Sequence, residues 1–257
     1  MMYVEEMRDL GLRVIDMSGA FRLSVEEFEK WYGMEHVKPE LLEEAVYGMP
    51  ALFKERIKDA KLVANPGCYP TSVILPLRPI QDLIVGEATV VSTSGNSGAR
   101  RTVENESNDI TYSYGRRHKH VPEMRRYSGV SVNFTPIVLR SVFRGINTNI
   151  RVRLNDELAL LADEEAEKIL EDRIRNAYEE EDLVFVVRDT SEKTYGTKDV
   201  NNTNRLVVKV RVDDGHAYIN SLVDNLGKGA ASQAVENMNL MLGLPRFYGI
   251  EPAYKCL

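Results

Sequence analysis

The chain has 257 residues, 43% of them apolar and 28% charged, and a formal net charge of −6. It is long enough to bury a sizeable core in one large or two modest domains, and its acidic balance argues against a nucleic-acid surface, which is normally basic. No apolar run approaches the ~18 residues of a membrane span, the start lacks the basic end and apolar middle of a signal peptide, and two cysteines, Cys68 and Cys256, do not make a disulfide scaffold, so a cytoplasmic protein is expected.

Along the chain, Gly11–Met17 reads as a strand entering a loop. Ser24 is placed to cap a helix beginning at Val25, with Glu26 and Glu27 in the first turn, where a helix favours acids. Ala51–Lys58 reads as a short helix and Ala60–Ala64 as a buried strand. Strand and helix alternate here as in a parallel α/β layer.

That strand delivers Asn65-Pro66-Gly67-Cys68-Tyr69-Pro70-Thr71, a turn leading into the apolar helical run Ser72–Leu77. Pro70 suits a first helical turn, where its missing N–H costs nothing. The Cys68 sulfur is thereby aimed at the positive end of a helix, which favours thiolate over thiol. Lowering a thiol pKa from ~8.5 by two units requires roughly 2.7 kcal/mol, whereas a helix terminus supplies only about 0.3–1 kcal/mol. A nucleophilic Cys68 therefore needs a cationic partner elsewhere. The other reading of the same pattern is a buried structural cysteine.

The candidate partner is Arg116-Arg117-His118-Lys119-His120-Val121-Pro122-Glu123, with two of the four histidines and a proline that starts a short helix. Histidine acts as acid or base near neutral pH. A solvated basic loop fits the pattern too. A zinc site would need further ligands, and none stands at ligand spacing.

Beyond residue 80 the period changes. Ile146, Thr148, Ile150, Val152 and Leu154 alternate with polar residues, as do Leu206, Val208, Val210 and Val212. These are strands with one buried face. Asp214-Gly215 predicts a hairpin into Ala217–Val223. Asp156–Tyr178 reads as one long helix. A large, mostly antiparallel sheet covered by helices on one face is expected. Gly227-Lys228-Gly229-Ala230-Ala231-Ser232 then opens a last helix, ended by Gly243 and Pro245. Its crowded small residues serve tight packing or the close approach of a ligand.

Taken together, the motifs resemble those of the N-acetyl-gamma-glutamyl-phosphate reductases of arginine biosynthesis, relatives of aspartate-semialdehyde dehydrogenase. Asn65–Thr71 resembles the active-site cysteine motif and His118–Glu123 the histidine motif. Val14–Leu23, Ala45–Pro50, Ser94–Arg101, Phe134–Pro136, Arg144–Ile146 and Asp224–Ala230 follow in family order. The resemblance implies an α/β plus α+β fold. An incomplete Rossmann-type nucleotide domain would be followed by a second, mixed, mostly antiparallel sheet domain of the glyceraldehyde-3-phosphate dehydrogenase-like C-terminal type. The implied divisions are residues 1–67 for the nucleotide part, 68–226 for the catalytic and oligomerisation part, and 227–257 for a segment returning to the nucleotide part. Two departures stand out. No Gly-x-Gly-x-x-Gly cluster occurs before residue 60, so the chain opens part-way through the nucleotide domain, as a fragment or a short form. Arg100 replaces the second glycine of the family loop, which would strain or obstruct a glycine-requiring position.

The chemistry implied is reduction of an acyl phosphate, N-acetyl-glutamyl 5-phosphate, by NADP(H). Cys68 forms a thioester. His120, as imidazolium, holds the thiolate and later donates a proton, with His118 as the alternative. Arg101 and Arg144 are expected to bind the anionic ends of the substrate, His118 to lie at the substrate as well, and Glu123 to orient a histidine or meet the substrate. Ser97, Gly98, Asn225 and Gly227 are expected at the nicotinamide, where the Asn225 amide can pair with a carboxamide. No metal is expected, and a homodimer or homotetramer is. The alternatives are a carrier-linked aminoadipyl-phosphate reductase of lysine biosynthesis, or a non-catalytic oligomerisation module.

Overall fold

The computed structural model describes residues 1–98, 108–180 and 183–250. Arg100, Arg101 and Cys256 lie outside the described residues.

The first unit is a three-stranded parallel sheet, in spatial order β1 (Val14–Asp16), β3 (Leu62–Ala64), β2 (Ala45–Tyr47). Leu62, Val63 and Ala64 are all fully buried, as expected of a parallel strand covered on both faces. Helix α1 (Met2–Asp9) precedes it. In α2 (Val25–Tyr32) the Ser24 hydroxyl accepts from Glu27 N–H, the start read from the sequence, and Gly33 closes the helix at φ 65°. Helix α3 (Pro50–Asp59) follows β2.

The strand β3 runs into α4 (Cys68–Leu77), with Gly67 as N-cap. Every residue from Tyr69 to Leu77 is buried. An apolar helix of this kind has to lie inside the molecule rather than on its surface. Its polar residues are satisfied internally: Thr71 donates to Gly67 O at 3.0 Å and Ser72 pairs with Thr148 at 2.8 Å.

The second unit is a seven-stranded sheet containing β4 (Ile84–Gly95), β5 (Asp109–Thr111), β6 (Ser131–Leu139), β7 (Ile146–Leu154), β8 (Val184–Val186), β9 (Leu206–Asp213) and β10 (His216–Val223). Its spatial order is β5-β6-β4-β7-β10-β9-β8, parallel at β4–β6 and β8–β9 and antiparallel elsewhere. The sheet is therefore mixed and mostly antiparallel, in agreement with the sequence pattern. The β9–β10 hairpin turns on Asp214 and Gly215, both at positive φ, as a two-residue primed turn demands. The core joins Val73, Ile74 and Leu77 of α4 to Val90, Phe134, Ile150 and Ile219 of the sheet, and to Leu170 and Ile174.

Two elements differ from the sequence reading. Asp156–Tyr178 is not one helix but α6 (Asp156–Ala159) and α7 (Asp163–Ala177). The Asn155 side chain caps α6 by accepting from Leu158 N–H, Ala162 is extended, and Leu160 is 87% exposed at the corner. The apolar spacing of Leu158, Leu161 and Leu170 conceals this break. The last helix begins as a π-helical turn over Gly227–Ala231 before α8 (Ser232–Met241). Leu240 and Met241 of α8 pack on Val46, Ile57 and Val63, which returns the chain to the first sheet. Helix α5 (Val121–Ser128) packs beside α4.

Candidate active site

Cys68 is the first residue of α4, and its sulfur is within reach of its own N–H and that of Tyr69. His120 is the N-cap of α5. The two meet because Gly67 lacks a side chain: a Cβ there would stand 2.7 Å from His120 Nε2. The imidazole therefore lies directly against the nucleophile's turn. Both side chains line one cavity of about 500 Å³, together with Arg22, Lys119, Asn225 and Gly229. His118 is buried behind His120, with ring centroids 4.7 Å apart, and His118 Nδ1 accepts from His120 N–H at 3.1 Å. Tyr69, Tyr112 and Phe134 pack edge-on around His118.

The electrostatics differ from the ion pair expected from sequence. Burial pushes the Cys68 thiol up to about 11, against smaller downward pulls from the Tyr69 N–H, Arg22 and its own N–H. Burial also holds His120 well below the ordinary imidazole value, with His118, Arg22 and Lys119 acting in the same direction. His118 is pushed down to about 4, by burial and then by Lys119. The resting pair is thus a neutral thiol beside a neutral imidazole, because desolvation penalises both charged forms. His120 Nδ1 is buried and has no hydrogen-bond partner among the described residues.

Glu123 does not face the cavity. It is 1% exposed, and its Oε1 accepts from Gly67 N–H at 2.9 Å and Tyr47 OH at 2.7 Å, while Oε2 meets Arg22 Nη1 at 3.3 Å. Arg144 is also not at the cavity. Its guanidinium is held by the fully buried Asp224, at 2.9 and 3.1 Å, and by Asn202. The structure thus sets Arg144 against Asp224 rather than on the wall of the Cys68 cavity. Asp224 also accepts from Asn202, Leu226 and Gly227 N–H, so Gly227 is a backbone support for this carboxylate. Gly98 and Asn225 line the cavity. The Asn225 amide bridges two loops, accepting from Gly145 N–H at 2.7 Å and donating to Ser97 Oγ at 3.1 Å. A Cβ on Gly229 would meet Cys68 Cβ at 3.0 Å, which explains the small residues at the start of the last helix. Among the described residues no group of three or more His, Cys, Asp or Glu side chains could hold a metal ion.

Arg22, Tyr47 and Lys119 were not singled out as site residues from sequence. The signal for Arg22 was available: it is flanked by Phe21 and Leu23, both buried, in a loop. A cation in such an apolar run has to find an internal anion, here Glu123.

A second cavity, of about 450 Å³, lies on the open face of the large sheet among Arg151, Lys209, Arg211 and Tyr218. It holds no cysteine or histidine. No helix among the described residues is long and apolar enough to cross a membrane.

Comparison with known proteins agrees with this geometry. Residues 68–225 match the semialdehyde dehydrogenase dimerisation domain family. The N-acetyl-gamma-glutamyl-phosphate reductase of Rhodopirellula baltica is 38% identical over 263 residues, covering 96% of this chain and 74% of the relative. That of Nitrosomonas europaea is 38% identical, covering 97% and 75%. That of Dehalococcoides mccartyi is 40% identical, covering 96% and 74%. Aspartate semialdehyde dehydrogenase II from Vibrio cholerae superposes with a TM-score of 0.67 at 18% identity, over 94% of this chain and 76% of that one, and so shares the fold. With a cysteine motif, a histidine motif and nearly the whole chain aligned at this identity, the protein belongs to the N-acetyl-gamma-glutamyl-phosphate reductase family.

Proposed function

We propose that this chain reduces N-acetyl-glutamyl 5-phosphate to N-acetyl-glutamate 5-semialdehyde through a thioester on Cys68, with His120 moving the proton. The observation that carries the reading is the shared cavity of Cys68 and His120, held open by the missing side chain of Gly67.

The residues present fit the nicotinamide end of a dinucleotide. Gly98 and Gly229 leave room along the wall that carries Cys68, and Asn225 keeps one amide N–H beyond the one given to Ser97. No Gly-x-Gly-x-x-Gly turn occurs among the described residues to hold a pyrophosphate. The nucleotide is proposed to be NADP(H), following the family resemblance, and when bound it supplies hydride to the acyl carbon.

A thiol at about 11 leaves roughly one sulfur in 10⁴ ionised at neutral pH. Attack therefore proceeds with proton transfer from Cys68 to neutral His120, as general-base catalysis requires. The sulfur bonds to the acyl carbon and phosphate leaves. After reduction the tetrahedral oxyanion expels the Cys68 thiolate as aldehyde forms, and His120 returns the proton, restoring the neutral pair. The N–H groups of Cys68 and Tyr69 at the helix start are placed to stabilise developing negative charge. The anionic ends of the substrate are assigned to Lys119 and Arg22, which line the cavity, and to Arg101. The matched dimerisation domain supports assembly as a homodimer or homotetramer.

The test is phosphate-dependent reduction of NADP by the semialdehyde. Activity is expected in the parent chain and loss by at least about 10³-fold in Cys68→Ser. Full turnover by that variant rules out the covalent route.

A further inference from the structure

We infer that Glu123 is a positioning residue that fastens the nucleophile's turn to the helix carrying His120, and that by pairing with Arg22, which lines the same cavity as Cys68, it opposes that cation's pull on the sulfur. This deepens the reaction proposed above and rests on that reading of Cys68.

The carboxylate is sealed from the cavity, yet its three partners come from three separate segments. Gly67 belongs to the turn preceding Cys68, Tyr47 to the end of β2, and Arg22 to the loop before α2. Glu123 itself sits three residues after His120, on the first turn of α5. A single side chain thus fixes the distance between the nucleophile's backbone and the imidazole. It also occupies the Gly67 N–H, which leaves the Cys68 and Tyr69 N–H groups as the donors facing the sulfur.

Charge adds a second function. Arg22 is buried, and its Nε has no hydrogen-bond partner among the described residues. Arg22 pulls the Cys68 thiol toward ionisation and Glu123 pushes it away. The other titratable groups near Cys68 are His120, Lys119 and Tyr32 on the cavity wall, and His118, Tyr69 and Tyr112 behind them. The hydrogen bonds of the carboxylate go to Gly67, Tyr47 and Arg22. The two charges oppose each other at the sulfur, so removing either one unbalances the field in a known direction.

The experiment is a double-mutant cycle in a Cys256→Ser background. It uses Glu123→Gln, Arg22→Met and their combination, with the iodoacetamide alkylation rate of Cys68 followed against pH and the fold checked by circular dichroism. The alkylation midpoint should fall by about one pH unit in Glu123→Gln, rise by a similar amount in Arg22→Met, and return to within about half a unit of the parent in the double variant. The double variant carries no unpaired buried charge and so remains readable if either single variant unfolds. In steady state, Glu123→Gln keeps an oxygen for Gly67 and Tyr47 and should retain more kcat than Glu123→Ala, with KM unchanged within about twofold in both. An unmoved alkylation midpoint, or a Glu123→Gln variant as impaired as Glu123→Ala with a raised KM, overturns the inference. Full turnover by Cys68→Ser sinks the reaction reading instead, and the alkylation cycle stands apart from that result.

Discussion

The closeness of Gly67 to His120 makes one substitution especially informative. Gly67 has φ −73° and ψ 156°, an extended conformation open to any L-residue, so Gly67→Ala introduces no backbone strain. The new Cβ would stand 2.7 Å from His120 Nε2, 2.9 Å from His120 Cε1 and 3.0 Å from Pro70 Cδ. Ordinary van der Waals contact begins near 3.4 Å, so the imidazole must retreat by about 0.7 Å or rotate away. A displacement approaching 1 Å in a reacting group costs on the order of 10²-fold. Stability should change far less. The loss of unfolded-state freedom contributes about 0.4–1 kcal/mol in favour, against an overpacking cost of about 1–3 kcal/mol that the exposed cavity side relieves. The assay is kcat for semialdehyde oxidation, read beside a thermal melt. The expected result is a fall of about 10²-fold in kcat with Tm within a few degrees. A cycle with His120→Ala isolates the cause, because in that background only the 3.0 Å approach to Pro70 Cδ remains and the added methyl should cost little further in kcat. Gly67→Ala with unchanged kcat would show that the imidazole near Cys68 is not the proton carrier.

Three other outcomes follow from the same geometry. Iodoacetamide should alkylate Cys68 slowly at pH 6–7 and rapidly only as pH approaches about 11, where the buried thiol ionises; fast alkylation in mild acid would contradict the neutral resting pair. His118 has a folded-state pKa depressed to about 4 from 6.5, so its neutral form contributes stability that is fully present above about pH 6.5 and is lost as pH falls toward 4. The contribution is about 3 kcal/mol, and denaturant melts of His118→Phe should show a flatter decline across that range than the parent. Arg144→Met removes the partner of fully buried Asp224 and should destabilise by about 3 kcal/mol, while KM for substrate stays near the parent value; a tenfold rise in KM with Tm unchanged would return Arg144 to the substrate.

Much of this architecture is legible in the residues because local pattern and tertiary demand agree. The strand β3 is apolar at every position and flanked by turn residues, and only a strand buried on both faces uses such a run. The alternation in β7, β9 and β10 announces a sheet with one covered face, and Asp214-Gly215 names its hairpin. The break between α6 and α7 is hidden because helical spacing persists across it. What interrupts the helix is a backbone choice at Leu160 to Ala162, reinforced by the Asn155 cap. The motif residues divide in a similar way. Cys68 and His120 converge on one cavity, as their chemistry suggested. Arg144 and Glu123 do not reach it; unlike Arg22 between Phe21 and Leu23, neither stands between two large apolar side chains that would announce a buried counter-charge. Asp224 claims Arg144, and the turn beneath Cys68 claims Glu123.

The ionisation state of the nucleophile shows why the last step resists sequence reading. The local argument was sound in sign: a thiol at a helix start does feel the Cys68 and Tyr69 N–H groups, and Arg22 adds to them. Its magnitude was about 1 kcal/mol. The opposing influence, removal of a charge from water, reaches several kcal/mol and depends on how many residues from distant segments close over the sulfur. Those residues come from the loop at Arg22, the turn at Gly67, the α5 start at His120 and the segment at Gly229, separated by some 200 positions in the chain. No window around Cys68 contains them. Enclosure therefore outweighs the helix terminus, and the imidazole suffers the same desolvation. Such a pair need not be ionised in advance. A neutral base adjoining a neutral thiol can take the proton during attack, and the same burial that raises the thiol makes the thiolate, once formed, a stronger nucleophile toward an acyl phosphate.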